Sequence, residues 1–493
     1  MRRVIIGCLA VLLAPVAALA GPPAASIALV LQDQTPLRAA PRAAAAQHAL
    51  LWQGEALEVR GERLDYLQVY DYRRERGGFV RASQLRRVVL TPEQAPELLS
   101  VVRFLQGYPG TEALGIAFAA AYIQAAPAQA LNSEEGAAAL DALGTMADRL
   151  AQRASTDTAA GKTTQAVAAH LEAAARHGVR FTSNERDGRV YVCYDGDAFR
   201  RVLAISSDPA QRARAVLGLT RRECTPGDLQ PTERRRVDEW RAEVLDRVQA
   251  EKLPGYLKNR VLMRRAAVWS SLAYQRARAG EGAETAAARA VAELSGVNKS
   301  ELADGDTLAY SDAATRVNAS RWALSAVSSA PPGKRPSITT LAGAPGETCI
   351  LLVDAKNGAA QPLAKRCTYG IVWPASATLN REGTALAIAV QPTDAWREMW
   401  IFHKSGGNWT VRILPPAAVQ PNVGYAEFAG WVPGGTQVLV AREAVGDGRS
   451  RRSFELMRLD TLAPLRQSGD PSTLGEFQRW QDPAWKRETL AMR

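Results

Sequence analysis

Between Leu50 and Leu85 apolar and polar residues alternate with a period of two, and this alternation constrains the fold more than any other feature. Leu57 and Val59, then Leu67 and Val69, sit between polar neighbours, so one set of side chains points inward on each strand. Gly54, Gly61 and the pair Gly77-Gly78 punctuate the run where tight turns favour a residue without Cβ. Upstream, Thr35 to Pro41 reads as a short strand closed by proline. The pattern predicts a small antiparallel β module. Its outward-facing Tyr66, Tyr70 and Tyr72, with Trp52 and Phe79, are the candidate lining of a recognition groove, because aromatic rings supply rigid contact area with a polar handle. The alternative is that the same rings complete a core too small to close without them.

In their order these residues resemble the bacterial SH3 (SH3b) family. Leu37, Arg38 and Pro41 match the family's opening segment in kind, although Arg38 follows Leu37 without the usual spacer. Gly78-Phe79-Val80 matches the closing Gly-Trp-Val with Phe in place of Trp. The resemblance runs from Ile27 to Val88 and implies a small β-barrel that binds cell-wall peptidoglycan or peptide segments.

Met1 to Ala20 has the form of a secretory signal: Arg2-Arg3, an apolar run from Val4 to Val16, and Ala18-Leu19-Ala20 as a small-residue cleavage site. The apolar stretch before Cys8 is too short for lipoprotein processing. No later segment is long and apolar enough to span a bilayer, so the mature chain is expected without a transmembrane segment and in the periplasm. Four cysteines survive cleavage, Cys193, Cys224, Cys349 and Cys367, and an even number in an oxidising compartment implies two disulfides. Three connectivities exist; the local pairs Cys193–Cys224 and Cys349–Cys367 are favoured because each falls within one predicted domain. Net charge is +11, or +9 once Arg2 and Arg3 leave with the signal. The basic clusters Arg221-Arg222, Arg234-Arg235-Arg236, Arg264-Arg265 and Arg451-Arg452 fall in different predicted elements, without the recognisable module that nucleic-acid binding needs. They read as solvated residues, or as a basic surface near anionic envelope polymers.

From Thr91 to about Val327 the chain is rich in good helix formers. Thr91-Pro92-Glu93-Gln94 has the form of a helix start with a capping box. Helices are predicted over 92–106, 111–125, 133–154, 163–177, 207–219, 231–251, 255–279, 283–295 and 308–327, with one β-like interruption at Arg189 to Tyr194. Gly161-Lys162-Thr163 is no phosphate loop, since Thr156 stands where the earlier glycine is required. His170 and His177 are too far apart along a helix for a zinc pair, and His177 is expected in the last turn as a cation facing the helix dipole. The Asp195/Asp197 and Asp304/Asp306 runs are expected to cap helices or turn loops. No metal set and no cofactor fingerprint is legible.

Residues 328–336 form a linker by composition, and beyond it the character changes: seven of the eleven tryptophans lie between Trp373 and Trp485. Strand signals recur about every 50 residues, with Asn380 to Gly383 and Val432 to Gly435 as corresponding turns. This end resembles TolB/WD40-like propeller repeats, too few here to close a ring. Trp373, Trp400 and Trp431 are expected between sheets. Trp396, Trp409, Trp480 and Trp485 are the candidates for an exposed contact patch.

The expected architecture is therefore multidomain α+β: signal 1–20, SH3b-like barrel 21–90, helical domain 91–327, linker 328–336 and a propeller-like antiparallel β domain 337–493. The expected role is an exported envelope scaffold whose two β ends bind cell-wall polymer or a protein partner. The alternative is a wall hydrolase or other envelope enzyme with an unrecognised carboxylate site. Against that alternative, the chain has only four histidines and lacks the Gly-x-Ser-x-Gly and His-Glu-x-x-His signatures. The ligand and oligomeric state are left open.

Overall fold

A computed structural model of the chain describes residues 26–156, 162–186, 189–205, 207–325, 333–418, 423–446 and 449–486. The export signal, Cys8, Gly161 and most of the linker lie outside the described residues. Contacts divide the chain into two units, Met1–Leu131 with Ala159–Val179, and Asn132–Thr158 with Arg180–Arg493. The helical region is thus shared between them.

The first unit is built on seven antiparallel strands: β1 (Ile27–Val30), β2 (Thr35–Arg38), β3 (Gln47–Leu51), β4 (Ala56–Arg63), β5 (Tyr66–Asp71), β6 (Arg76–Arg81) and β7 (Leu85–Val88). The alternating residues do as their period requires: Val30, Leu37, Leu51, Leu57, Leu67, Val69 and Val80 form one buried cluster. The sheet order is β3-β2-β6-β5-β4-β1-β7, an open path. This corrects the expected barrel. The end strands β3 and β7 do not pair with each other, and β2 reaches β6 through the single pair Arg38↔Phe79. That approach needs glycine, because a Cβ at Gly78 would stand 2.7 Å from Leu37 Cδ1 and 2.8 Å from the Arg38 carbonyl oxygen.

Helices α1 (Ala95–Gln106), α2 (Glu112–Ala125), α3 (Ala128–Leu131) and α5 (Lys162–Arg176) belong to the same unit; α4 is described below. The expected capping box at Thr91 does not form. A 3₁₀ turn over Pro92–Gln94 intervenes, Thr91 caps nothing, and the Gln94 side chain accepts from the Val89 amide instead. α2 is alanine-rich and buried on nearly every side, packed against α1, α5 and β1. The two histidines of the α5 segment hold the sheet. His170 Nε2 lies 2.7 Å from Asp33 Oδ1 in the β1–β2 turn, and His177 Nε2 donates to the Gly54 carbonyl at 2.8 Å. His177 is therefore no dipole-facing cation: burial pushes its pKa below the usual histidine range.

The second unit begins with α4 (Glu134–Thr156), the hairpin β8 (Phe181–Arg186)–β9 (Arg189–Tyr194), and α6 (Asp197–Ala204), a helix missing from the sequence reading. α7 (Pro209–Leu219), α8 (Pro231–Asp246), α9 (Gly255–Arg278), α10 (Glu284–Ser295) and α11 (Thr307–Ser320) follow. The ring of Phe199 on α6 is wedged between two helices at glycines: Cβ atoms at Gly144 and Gly218 would stand 2.5 and 2.2 Å from it. On α9 the expected stripe is real: Leu257, Val261, Leu262, Leu272 and Ala273 are buried, with Trp269 half-buried.

The β end opens with a three-stranded sheet, β10 (Ser337–Ala342), β11 (Thr348–Val353) and β12 (Ala364–Thr368). Two four-stranded antiparallel meanders follow. The first is β13 (Ile371–Leu379), β14 (Ala385–Thr393), β15 (Trp396–Ser405) and β16 (Asn408–Leu414). The second is β17 (Val423–Val432), β18 (Gln437–Gly446), β19 (Arg449–Arg458) and β20 (Pro464–Ser468), with the short α12 (Gly475–Trp480) after it. A short parallel pairing of β15 with β17, Trp396↔Gly424 and Arg397↔Tyr425, joins the meanders into one sheet. The two corresponding turns meet: the Gly434 amide donates to Glu382 Oε1 at 2.9 Å. α11 packs on this sheet, where fully buried Arg397 donates to the Asn318 carbonyl and lies 3.4 Å from Glu427.

Both favoured disulfides are present. Cys193–Cys224 ties β9 to the 3₁₀ turn Arg222–Cys224, and Cys349–Cys367 links facing residues of β11 and β12. Among the described residues no helix is long and apolar enough to cross a membrane.

Candidate functional site

The aromatic candidates separate by burial. In the first unit Trp52 and Tyr66 are buried, which removes them from a groove; they close the small core. Tyr72 is exposed, with Tyr70 and Phe79 half-buried. Tyr70 and Tyr72 meet edge-on with centroids 5.0 Å apart, Arg60 lies 3.9 Å over the Tyr70 ring, and Glu58 accepts from both Arg60 and the Tyr72 hydroxyl. Phe79, opposite Gln68, shares the face of Tyr70. This is a small aromatic patch without depth.

In the second unit Trp485 and Trp396 are buried, against the expectation of an exposed patch. Trp485 stacks edge-on with Phe454 and Phe477 under the second meander, and Trp396 packs at Gly424 where β15 meets β17. Trp409 is half-buried and Trp480 exposed. Of the three tryptophans expected between sheets, Trp373 and Trp400 are buried and Trp431 is half-buried.

A large concavity lies elsewhere. Within the second unit a cavity of about 1720 Å³ opens between the helices and the second meander. It is lined from α4, the β8–β9 hairpin, α7, α8, α9 and α11 on one side and from β18 and β19 on the other. Thirteen of its described lining residues are arginine and seven are aspartate or glutamate, and Arg214 is paired with Asp141 behind the wall. Five of them, Arg221, Arg222, Arg234, Arg264 and Arg451, read from sequence as solvated residues or as a basic surface, because they come from separate elements. The available signal was the i, i+4 placement of Arg260 and Arg264 on α9, away from its apolar stripe, repeated by Asp312 and Arg316 on α11.

Most of the guanidiniums are held by carboxylates. Arg221 donates to Asp148 at 2.6 Å and to Glu223 at 2.9 Å. Arg222 bonds Asp394 at 2.9 Å, Arg241 bonds Asp238 at 2.6 Å, and Arg442 bonds Glu455. These pairs fix the wall rigidly. Arg234, Arg451 and Arg264 have no ion pair among the described residues. Arg234 donates to the Gly227 carbonyl, Arg451 stands exposed on β19, and Arg264 has only the Leu217 carbonyl at 3.2 Å and the Thr220 hydroxyl at 3.4 Å.

The charge crowding is visible in the titration of the wall. Burial, then the neighbouring Arg241 and Arg221, pushes Arg264 down to about 10 against the pull of Glu223. Burial and Arg316 do the same to Arg222, also to about 10. Burial alone would raise Glu223, but Arg221 and Arg264 hold it down to about 2. Burial raises Asp148 despite its bond to Arg221.

The Asp195/Asp197 and Asp304/Asp306 runs do structural work. Asp195 accepts from the Asp197 amide and from Arg180, and Asp306 pairs with Arg260. Glu347, Cys349 and Cys367 lie close enough to share a metal, but both sulfurs are spent in their disulfide. Comparisons of the chain with family models, with curated proteins and with solved structures found no match.

Proposed function

We propose that this chain is an exported binding protein of the cell envelope, most simply periplasmic, that holds an anionic ligand in the arginine-lined cavity. One observation carries the reading: thirteen guanidiniums against seven carboxylates converge on a single concave site. A wall with excess charge and low-dielectric backing concentrates anions, and planar guanidinium matches carboxylate and phosphate geometry. The paired disulfides support a secreted protein. In this reading the N-terminal sheet is an SH3b-like module, opened rather than closed, and its Tyr70–Tyr72 patch adds a weak contact to wall polymer or an envelope protein. The two joined meanders are propeller-like blades, and the second serves as the floor of the cavity.

The test is retention of the purified mature chain on isolated envelope material. Retention should weaken steeply as salt rises and fall in Arg264→Met, while Tyr70→Ala changes it little. Retention indifferent to salt and to Arg264 would sink the reading.

A second reading, hydrolysis, draws on Asp148 and Glu223. Their titration is pushed apart while both bind Arg221, which is a pattern that acid–base pairs use. It predicts release of soluble fragments from labelled sacculi, abolished in Glu223→Gln.

A further inference from the structure

The three-stranded sheet that opens the β end brings three potential metal ligands onto one face. Cys349 on β11 stands opposite Cys367 on β12 in the antiparallel ladder. Glu347 lies two residues before Cys349, the spacing that returns to the same face of a strand. Its carboxylate and the two sulfurs all lie within 4.8 Å of one another. Gly343 makes room for them. Its amide donates to the Glu347 carbonyl at 3.0 Å, and a Cβ there would collide with Glu347 Oε2 and stand 3.2 Å from Cys349 Sγ. The backbone at Gly343 is not left-handed, so space and not conformation calls for glycine. The Ala344 amide donates to Glu347 Oε2 at 3.1 Å and holds the carboxylate beside the sulfurs. None of the three ligands lines the arginine cavity.

While the disulfide is closed its sulfurs cannot serve as thiolate ligands. A dithiol opens it by exchange. One thiolate of the dithiol attacks Cys367 Sγ, which is half-buried where Cys349 is buried, and the Cys349 sulfur leaves as a thiolate. The dithiol's second sulfur then displaces Cys367 from the mixed disulfide. The reductant ends as its own disulfide, having given up two electrons. The freed sulfurs part, toward the roughly 3.8 Å that two tetrahedral zinc–sulfur bonds of about 2.3 Å span. Two thiolates and a carboxylate form a set that zinc accepts, with water completing the tetrahedron. Binding sends the thiol protons to solvent. Lys365, two residues before Cys367 on the same face of β12, offsets the single negative charge left over.

We propose that reduction of Cys349–Cys367 by a dithiol uncovers a zinc site made by Cys349, Cys367 and Glu347, so that this sheet holds either a disulfide or a metal ion. The site is separate from the anion-binding cavity and stands or falls without it.

The experiment reduces the full mature chain with dithiothreitol, removes the reagent without air, and adds zinc chloride. Circular dichroism checks the fold. Iodoacetamide then labels free thiols, and peptide mass spectrometry reads each cysteine separately. The expected result is that zinc slows labelling of Cys349 and Cys367. Cys193 and Cys224, which belong to no such cluster among the described residues, should label alike with and without the ion. The unreduced chain should take up no zinc at this sheet. Glu347→Gln keeps both cysteines and an acceptor for the Ala344 amide, and should lower zinc affinity about tenfold or more, a loss that even supporting groups around a metal cause. Equal labelling of Cys349 and Cys367 with and without zinc would overturn the proposal. So would equal protection of all four cysteines, the mark of unspecific thiol binding, or undiminished affinity in Glu347→Gln. A bond that survives dithiothreitol, or a chain that unfolds once reduced, would overturn it as well, because the three ligands would then never share a face.

Discussion

At His177 a single side chain shows how context reverses an expectation. Near a helix C-terminus a histidine is ordinarily stabilised as a cation. Here the ring is buried and its Nε2–H donates to the Gly54 carbonyl, while Arg176 adds repulsion against a second charge. Burial, the largest cause, lowers the pKa from its ordinary value of 6.5. The sign follows. Above pH 6.5 the ring is neutral in both folded and unfolded chains, and its contribution is fully present. As pH falls from there through the lower folded value, the unfolded chain takes up the proton first and stability is lost. His177→Gln, which can keep the bond to Gly54 without titrating, should therefore show a smaller drop in melting temperature between pH 8 and pH 5 than the natural chain does. Equal drops would show that the ring is not buried neutral. The sequence could not carry this, because the ring's partner lies 123 positions away. Tryptophan was misread for the same reason: Trp480 and Trp485 look alike in sequence, yet one is exposed and the other completes a ring cluster.

Among the elements, those with a strong period were legible and those defined by convergence were not. The alternation around Leu57 and Val69 fixed the inward faces of β4 and β5, and the stripe on α9 fixed its buried side. Sheet closure depends on whether β3 and β7 meet, which no local pattern encodes. α6 escaped because eight residues after a glycine turn carry barely two helical turns of signal. The cavity escaped because each arginine, read alone, is a solvated residue. One element nevertheless ties the cavity to a legible feature. Cys224 follows Arg221, Arg222 and Glu223 directly, and its partner Cys193 closes the strand that carries Arg189 and Tyr191. The bridge thus anchors two segments of the cavity wall to each other. Replacing both cysteines with serine should cost about 3–4 kcal/mol in denaturant unfolding, for a loop of 31 residues. It should also weaken anion binding. The equivalent change at Cys349 and Cys367, which are not among the lining residues, should cost about 3 kcal/mol and leave binding intact. Equal effects of the two on binding would mean that the wall is held by its ion pairs alone.

For the molecule as a whole, the chain's own order is misleading about what folds together. Read linearly, residues 21–90 look like a freestanding module followed by helices. In the structure the seven-stranded sheet shares its unit with α1, α2, α3 and α5, and α5 returns after α4 has joined the other unit. The contacts are specific. The Gly54 turn lies so near α2 that a Cβ there would stand 2.5 Å from the Ala113 carbonyl oxygen, and α5 grips the turns at Asp33 and Gly54 through its two histidines. α2, buried on nearly all sides, has no other reason to be apolar all round. A fragment limited to residues 26–90 would lose both histidine bonds and bare the sheet's turns to water. With about 1 kcal/mol for each bond and several degrees of melting temperature per kcal/mol in a domain of this size, it should melt about 10 °C or more below the sheet in the full chain. Circular dichroism of the fragment, set against site-resolved hydrogen exchange of the sheet in the full chain, makes the comparison. A sharp, cooperative transition of the fragment at the full-chain temperature would mean that the strands stand alone and the helices merely decorate them. A depressed or broad transition would mean that this strand-forming segment has been absorbed into a larger, discontinuous unit, its open edges dependent on helices encoded up to 90 residues further along.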